Sequence, residues 1–145
     1  VNVVTKMKET NTVIGGEGNG GVIYPESHYG RDALVGVGLF LSHFVAEGKS
    51  MTALKATYPQ YFISKNKLTL SPDMDVDKIL EGLKEKYASE EITDIDGVKI
   101  DFKDGWVHLR KSNTEPIIRI YSESKDEAAA NRLAEEVIKV AKSLY

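Results

Sequence analysis

Eight residues near the end of the chain could bind an anion. Residues 110–116 have the sequence RKSNTEP, and Arg119 follows three residues later. The stretch supplies two guanidinium groups, two hydroxyls and an amide, on Arg110, Arg119, Ser112, Thr114 and Asn113. A phosphate dianion accepts hydrogen bonds from all of these groups. The same residue types also build ordinary hairpin loops, and from these residues alone we favour a plain turn.

A second stretch is rich in glycine. Residues 15–21 have the sequence GGEGNGG, in which Glu17 and Asn19 carry the only functional side chains. Glycine allows a backbone to approach a ligand closely or to adopt positive φ. The stretch is therefore a candidate ligand-binding loop, and the alternative is a turn that joins two strands.

Composition narrows the class of protein. With 145 residues, the chain can form one domain, or one small domain and part of another. A net charge of −3 gives no basic surface for nucleic acid, and the absence of cysteine excludes disulfides and thiolate chemistry. No apolar run reaches membrane-spanning length and no signal peptide is evident, so we expect a cytoplasmic protein. The chain begins at Val1 without an initiator methionine, and its first residues look like the end of a structural element rather than a leader. We therefore also expect a longer parent polypeptide.

The first 58 residues have too little strand character for an independent α/β domain. The patterns predict strands at residues 12–14 and 22–24, a well-buried helix over 33–46 that ends at Gly48, and a short helix from Ser50. We therefore expect residues 1–58 to be the tail of an α/β domain.

The rest of the chain predicts an α+β domain. Strands are expected at residues 61–70, 98–103, 106–110 and 117–121, with a turn at Asp104-Gly105, a helix opened by residues 72–75, and a last helix capped by Ser124 and Glu127. This order predicts a four-stranded, mostly antiparallel sheet with two helices on one face. Arg110 and Arg119 would then lie on adjacent strands and could reach one anion.

Together, in this order and about ninety residues apart, the two stretches carry a resemblance. Residues 15–21 resemble the sugar-binding loop in the third domain of the α-D-phosphohexomutases, and residues 110–116 resemble the phosphate-binding loop of their fourth domain. The family includes phosphoglucomutases, phosphomannomutases and phosphoglucosamine mutases. The resemblance covers essentially the whole chain. It implies the C-terminal part of domain three at residues 1–58 and a domain four, with a fold like the TATA-box-binding protein, at residues 59–145.

The resemblance also implies roles for single residues. Arg110, Ser112, Asn113, Thr114 and Arg119 match the residues that hold the non-reacting phosphate, and Glu17 and Asn19 match those that bind sugar hydroxyls. We expect Glu115 to tether an arginine or the loop backbone, because a carboxylate would repel a phosphate. The family more often has serine at the position of Asn19 and histidine at that of Gly21, so the preferred hexose stays open.

The implied activity is the interconversion of hexose 1-phosphate and hexose 6-phosphate. In the family, a phosphoserine in domain one acts through a bisphosphorylated sugar, a hexose 1,6-bisphosphate serves as activator, and domain two holds Mg²⁺. The motifs for the serine and the metal are absent here, so we expect this chain alone to be inactive. The expected partners are a phosphorylated hexose and the N-terminal domains of the same polypeptide, with no nucleic acid and no membrane. The alternatives are a phosphoglucosamine mutase and a non-catalytic phosphosugar-binding module.

Other residues with chemical potential receive plainer interpretations. Residues 94–97, with the sequence DIDG, are expected to be a turn rather than a metal site. We expect His108 on the sheet surface rather than in a cleft, His28 outside the sugar site, His43 in a structural role, and Trp106 in the core or at an edge.

Overall fold

A computed structural model describes residues 2–18, 20–71 and 74–145. The chain divides into two compact units, Val1–Pro59 and Gln60–Tyr145. Each unit is described by itself below.

The first unit combines helices with a small sheet. Its elements are α1 (Asn2–Thr10), β1 (Gly15–Gly16), β2 (Val22–Tyr24), β3 (His28–Arg31), α2 (Ala33–Glu47) and α3 (Met51–Lys55). The three strands pair antiparallel in the order β1-β2-β3. Helix α2 begins where the Asp32 carboxylate accepts from the Val35 N–H, and it ends at Gly48 in the left-handed conformation, as the sequence predicts. Ser50 caps α3 in the same way as Asp32 caps α2.

Two predictions for this unit are wrong. Residues 12–14 do not form a strand, because Asn11 adopts positive φ and the Thr12 N–H bonds back to Met7, so this segment turns the chain out of α1. Helix α2 has the predicted position but no buried residue, and Leu34 and Val45 are 84% and 77% exposed. Its apolar side chains are therefore exposed, although their hydrophobicity predicts that other parts of a protein pack against them.

The second unit is an antiparallel sheet covered on one face by two helices. The elements are β4 (Phe62–Thr69), α4 (Val76–Lys86), β5 (Glu91–Thr93), β6 (Val98–Phe102), β7 (Gly105–Lys111), β8 (Ile117–Ser124) and α5 (Glu127–Lys142). The strand order is β4-β8-β7-β6-β5 and every pair is antiparallel. The predicted fold class is confirmed, but the sheet has five strands rather than four. Strand β5 was not predicted, because its three residues contain only one apolar side chain, Ile92, and so show no alternation.

The core of the second unit lies between the helices and one sheet face. Its buried side chains come from α4, α5 and four of the strands: Leu68, Val76, Ile79, Leu83, Tyr87, Val98, Ile100, Val107, Leu109, Ile118, Ile120, Val137 and Ala141. Side chains alternate along a strand, so the residues between these point to the opposite sheet face, which none of the described helices of this unit covers. We call this the open face.

Three local predictions in this unit need comment. Asp75 caps α4, within the predicted segment, whereas Pro72 and Asp73 lie outside the described residues. The predicted capping box of α5 is wrong: Asp126 is the cap, and Ser124 ends β8 with its hydroxyl bonded to the Asp104 carbonyl. The hairpin turn consists of residues 103 and 104, and Gly105 already belongs to β7, where it pairs with Phe102. A Cβ at this position would collide with the carbonyl oxygen of Glu123.

None of the helices that the structure describes is both long enough and apolar enough to cross a lipid bilayer.

The packing predicts a sharp contrast between two isoleucines. Ile100 is fully buried, and Ile95 is 77% exposed. We expect Ile100→Ala to lower the free energy of unfolding by about 2–5 kcal/mol, because it leaves a cavity in the core. Ile95→Ala, the same change at the surface, should stay within about 0.5 kcal/mol of the wild type. Urea denaturation followed by circular dichroism measures both, and equal effects would contradict this description of the core.

Candidate anion-binding site

Three cationic side chains lie side by side on the open face. Arg110 on β7 is the direct partner of Arg119 on β8, and Lys67 on β4 is the partner of Arg119 on its other side. Like charges directly opposite each other destabilise a sheet, so this row needs negative charge nearby.

Each arginine has a carboxylate partner. The Arg110 Nη1 donates to the Asp96 Oδ2 over 2.8 Å, and the Arg119 Nη2 donates to the Glu115 Oε2 over 3.4 Å. The hydrogen bond to Asp96 raises the pKa of the Arg110 guanidinium above its ordinary value. The expectation that Glu115 tethers an arginine is confirmed. All four side chains are about half exposed, and solvent-exposed ion pairs contribute little to folding, so these pairs orient the guanidinium groups more than they stabilise the domain.

A small cavity lies between the strands on the open face. Its volume is about 140 Å³, and its lining residues are His108, Arg110, Arg119 and Tyr121. We call it the anion pocket. Two guanidinium groups and a phenol at this cavity can donate hydrogen bonds to an oxyanion. Tyr121 was not predicted as a site residue, although its spacing of two residues from Arg119 on one strand places both side chains on one face.

The loop at residues 112–116 borders this face and is closed by its own hydrogen bonds. The Ser112 N–H donates to the Ile117 carbonyl over 3.0 Å, and the Ile117 N–H donates to the Glu115 carbonyl over 2.8 Å. The Ser112 side chain is only 8% exposed, and its hydroxyl lies 3.4 Å from both the backbone N and the hydroxyl of Thr114. Ser112 therefore shapes the loop, whereas Asn113 and Thr114 are exposed.

The turn at residues 94–97 contacts the anion pocket. Its Asp96 carbonyl accepts from the Nε2 of His108 over 2.6 Å, which fixes the proton on that nitrogen. Asp94 pairs with Lys84 on α4 at 3.3 Å. Within the described ranges, no group of three His, Cys, Asp or Glu side chains is placed to hold a metal ion. The two aspartates instead pair with cations of neighbouring elements.

The glycine-rich loop of the first unit is a separate candidate site. The Gly20 N–H donates to the Glu17 carbonyl and the Glu17 N–H donates to the Gly21 carbonyl, both over 3.2 Å. The Glu17 carboxylate lies 3.9 Å from the Nη1 of Arg31. Arg31 in turn lines a cavity of about 520 Å³ together with Gly20, Gly21, Asp32 and Ala33. The other residue predicted here, Asn19, lies outside the described residues.

The remaining predicted side chains have structural partners. The Gly30 N–H donates to the Nδ1 of His28, whose Nε2 lies 3.1 Å from Asp32. The pKa of Asp32 is lowered mainly by the hydrogen bond from the Val35 N–H, and next by the hydrogen bond with His28. His43 lies 3.0 Å from the Tyr58 hydroxyl. The Trp106 indole N–H donates to Glu123 on the next strand, so Trp106 is held in place on the sheet.

Comparison with known proteins identifies the family. Residues 66–140 match the model of the phosphoglucomutase/phosphomannomutase C-terminal domain, and residues 1–61 match the model of the alpha/beta/alpha domain III of the same proteins. The chain belongs to the phosphoglucomutase/phosphomannomutase family.

Individual relatives agree with this assignment. A phosphoglucosamine/phosphogalactosamine mutase of Sulfurisphaera tokodaii is 39% identical over 97% of this chain and 31% of its own length. A phosphoglucomutase/phosphomannomutase of Thermococcus kodakarensis is 40% identical over 95% of this chain and 30% of its own length. A crystal structure of a family protein from Burkholderia thailandensis superposes with a TM-score of 0.69 at 27% identity, over 96% of this chain and 30% of that one. The chain thus spans about a third of the length of these relatives.

The turn at residues 94–97 requires glycine at position 97. Gly97 has φ of 79°, and a Cβ there would collide with the carbonyl oxygen of Leu109. We expect Gly97→Ala to cost at least about 1–2 kcal/mol of stability, from the left-handed backbone alone. Gly38→Ala is the control, since Gly38 lies within α2 and a Cβ there meets nothing within 4 Å. It should stabilise its helix by about 0.5–1 kcal/mol. Thermal unfolding followed by circular dichroism distinguishes the two, and a neutral Gly97→Ala would contradict the described turn.

Proposed function

We propose that this chain is the C-terminal, substrate-recognition part of a phosphohexomutase that interconverts hexose 1-phosphate and hexose 6-phosphate. In this proposal, residues 59–145 form domain four and hold the phosphate that does not react, through Arg110, Arg119 and the loop at residues 112–116. Residues 1–58 form the end of domain three and bind sugar hydroxyls through Glu17 and Asn19. The observation that carries the proposal is the pairing of Arg110 and Arg119 on the open face of a family domain.

The chemistry of the second unit supports phosphate binding. A guanidinium group has five N–H donors in a planar fork, and Asp96 and Glu115 each engage one nitrogen of their arginine. The remaining donors of both arginines, with the exposed Asn113 and Thr114, can serve the oxygens of one phosphate. Lys67 adds positive charge to the same row. These groups orient a substrate and do not transfer protons, so their contribution to catalysis is positioning.

The exposed side of α2 supports a larger parent protein. Leu34, Val37, Leu41 and Val45 are each at least half exposed along this helix. A soluble domain rarely leaves such a stripe uncovered, so further chain of the same α/β domain is a natural cover. The share of the relatives' length that this chain spans, 30–31%, agrees with that view.

The reaction itself belongs to parts of the parent that this chain lacks. We place the phosphoserine and the Mg²⁺ site there, with a hexose 1,6-bisphosphate as activator. The described residues here do not fit a metal ion, so no step of the reaction is assigned to one in this chain. A cytoplasmic location belongs to the same proposal, since the absence of cysteine suits a reducing compartment.

The preferred hexose is proposed as glucose or mannose, with glucosamine as the alternative. The name of the Thermococcus kodakarensis relative refers to the first pair, and that of the Sulfurisphaera tokodaii relative refers to amino sugars. In either case Glu17 suits the sugar, because a carboxylate accepts hydrogen bonds from vicinal hydroxyls and also pairs with an ammonium group.

Phosphate recognition can be tested on this chain directly. Glucose 6-phosphate, titrated into the ¹⁵N-labelled chain, should shift the amide signals of Asn113, Thr114 and Glu115, whereas unphosphorylated glucose should not. The affinity should be weak, because one part of a multidomain site supplies few contacts, and it should fall as salt is added.

Two arginine variants make this test specific. Arg110→Ala should abolish the shifts with little loss of stability, since the side chain is half exposed. Arg132→Ala is the matched control, because Arg132 is exposed on α5 and lines a different cavity. Equal responses to the two sugars, or equal losses in the two variants, would contradict phosphate binding at this site.

A further inference from the structure

We propose that Asp96 is a positioning residue that holds the Arg110 guanidinium in the orientation that receives the phosphate. This inference rests on the proposed phosphate site and adds to it a residue outside the loop and its two arginines. Its basis is the 2.8 Å hydrogen bond from the Arg110 Nη1 to the Asp96 Oδ2, together with the way in which the turn at residues 94–97 is attached to β7.

The backbone of this turn is fixed at three points. Gly97 packs so closely on Leu109 and Arg110 that no side chain fits between them. The Nε2 of His108 donates to the Asp96 carbonyl over 2.6 Å. On the other side, the Lys84 ammonium on α4 pairs with Asp94 over 3.3 Å and with Glu81 over 2.8 Å, and these partners raise the pKa of Lys84. The Asp96 carboxylate therefore projects from an anchored backbone.

Anchoring distinguishes a positioning carboxylate from a competing one. A carboxylate that competes with the ligand for Arg110 must move away when the ligand binds. The three attachments of this turn restrict that movement. Asp96 engages only Nη1, so the Nη2 and Nε donors remain for two phosphate oxygens. Glu115 differs, because it lies in the loop itself and contacts Arg119 at the longer distance of 3.4 Å.

Arg110 needs such a partner for a physical reason. Its side chain is half exposed and stands directly opposite Arg119, so mutual repulsion favours rotamers in which the two guanidinium groups separate. A phosphate that binds both groups must bring them together and restrict both side chains. Asp96 restricts Arg110 before the ligand arrives, which lowers the entropy lost on binding.

Two substitutions of Asp96 distinguish the effect of its hydrogen-bond acceptor on Arg110 from the effect of its negative charge. Asp96→Asn keeps an oxygen that can accept from Nη1 but removes the negative charge, and Asp96→Ala removes both. The matched control is Asp104→Ala, an exposed aspartate in the turn between β6 and β7, outside the turn at residues 94–97. The affinities of the labelled chains for inorganic phosphate and for glucose 6-phosphate would be compared, with the Nε–Hε signal of Arg110 recorded before and after ligand is added.

The positioning role predicts a distinct order of affinities. Asp96→Ala should bind both ligands about 3- to 10-fold more weakly than wild type, the range expected for one additional side chain that must be ordered on binding. Asp96→Asn should bind more tightly than Asp96→Ala and at least about as tightly as wild type, because it keeps the acceptor and removes a charge that repels phosphate. Asp104→Ala should match wild type. The ligand-free Arg110 signal should broaden in Asp96→Ala alone.

Other outcomes overturn the inference in different ways. If Asp96→Ala and Asp96→Asn bind equally and both more tightly than wild type, Asp96 is a competing anion rather than a positioning residue. If both match wild type, Asp96 has no role in binding. If wild type itself binds neither phosphate nor glucose 6-phosphate, the proposed phosphate site fails and this inference fails with it. Amide spectra that stay native away from the turn exclude unfolding as the cause of any loss.

Discussion

The antiparallel register of β7 and β8 is the constraint on which the candidate site depends. It places Arg110 opposite Arg119, with Lys67 next in the row, on the open face of the sheet. A shift of one residue would turn one arginine into the core, where an unpaired charge is prohibited by its desolvation cost. The register is secured by the apolar residues on the other face, since Leu109, Ile118 and Ile120 are fully buried beneath the helices. Core packing thus sets the geometry of the charged face.

The balance of charge along the row of Lys67, Arg119 and Arg110 favours an anionic ligand. Three cations stand in the row and two carboxylates pair with it, which leaves one positive charge in excess. The Arg119–Glu115 pair is exposed and weak, so it can adjust at modest cost when a phosphate binds, whereas the anchored Asp96 keeps its hydrogen bond to Arg110. The chain as a whole carries a charge of −3, and the positive row is therefore a local feature rather than a consequence of composition. This contrast is typical of a site built for one small anion.

The sequence predicted much of this arrangement, and its errors have physical causes. Alternating apolar residues located β6, β7 and β8, and the loop chemistry located Arg110 and Arg119 on adjacent strands. Strand β5 was missed because one apolar side chain in three residues gives no alternation, and the cap of α5 was misplaced because Asp126 competes with Ser124 for the same role. The pairing of Asp96 with Arg110 joins residues fourteen positions apart through a turn, a tertiary contact that local patterns do not encode. Helix α2 was predicted to be buried because its residues are apolar. Apolar residues indicate that a helix needs to pack against other elements, but they do not show whether those elements are present in this chain.

A crystal structure of this chain grown with saturating glucose 6-phosphate would show directly whether the paired arginines bind a phosphate. The account predicts a phosphate group on the open face, within hydrogen-bonding distance of both the Arg110 and Arg119 guanidinium groups and of the loop at residues 112–116. The bond from Arg110 to Asp96 should persist in that structure. A phosphate bound elsewhere, or bound to this face without contact to either arginine, would contradict the account.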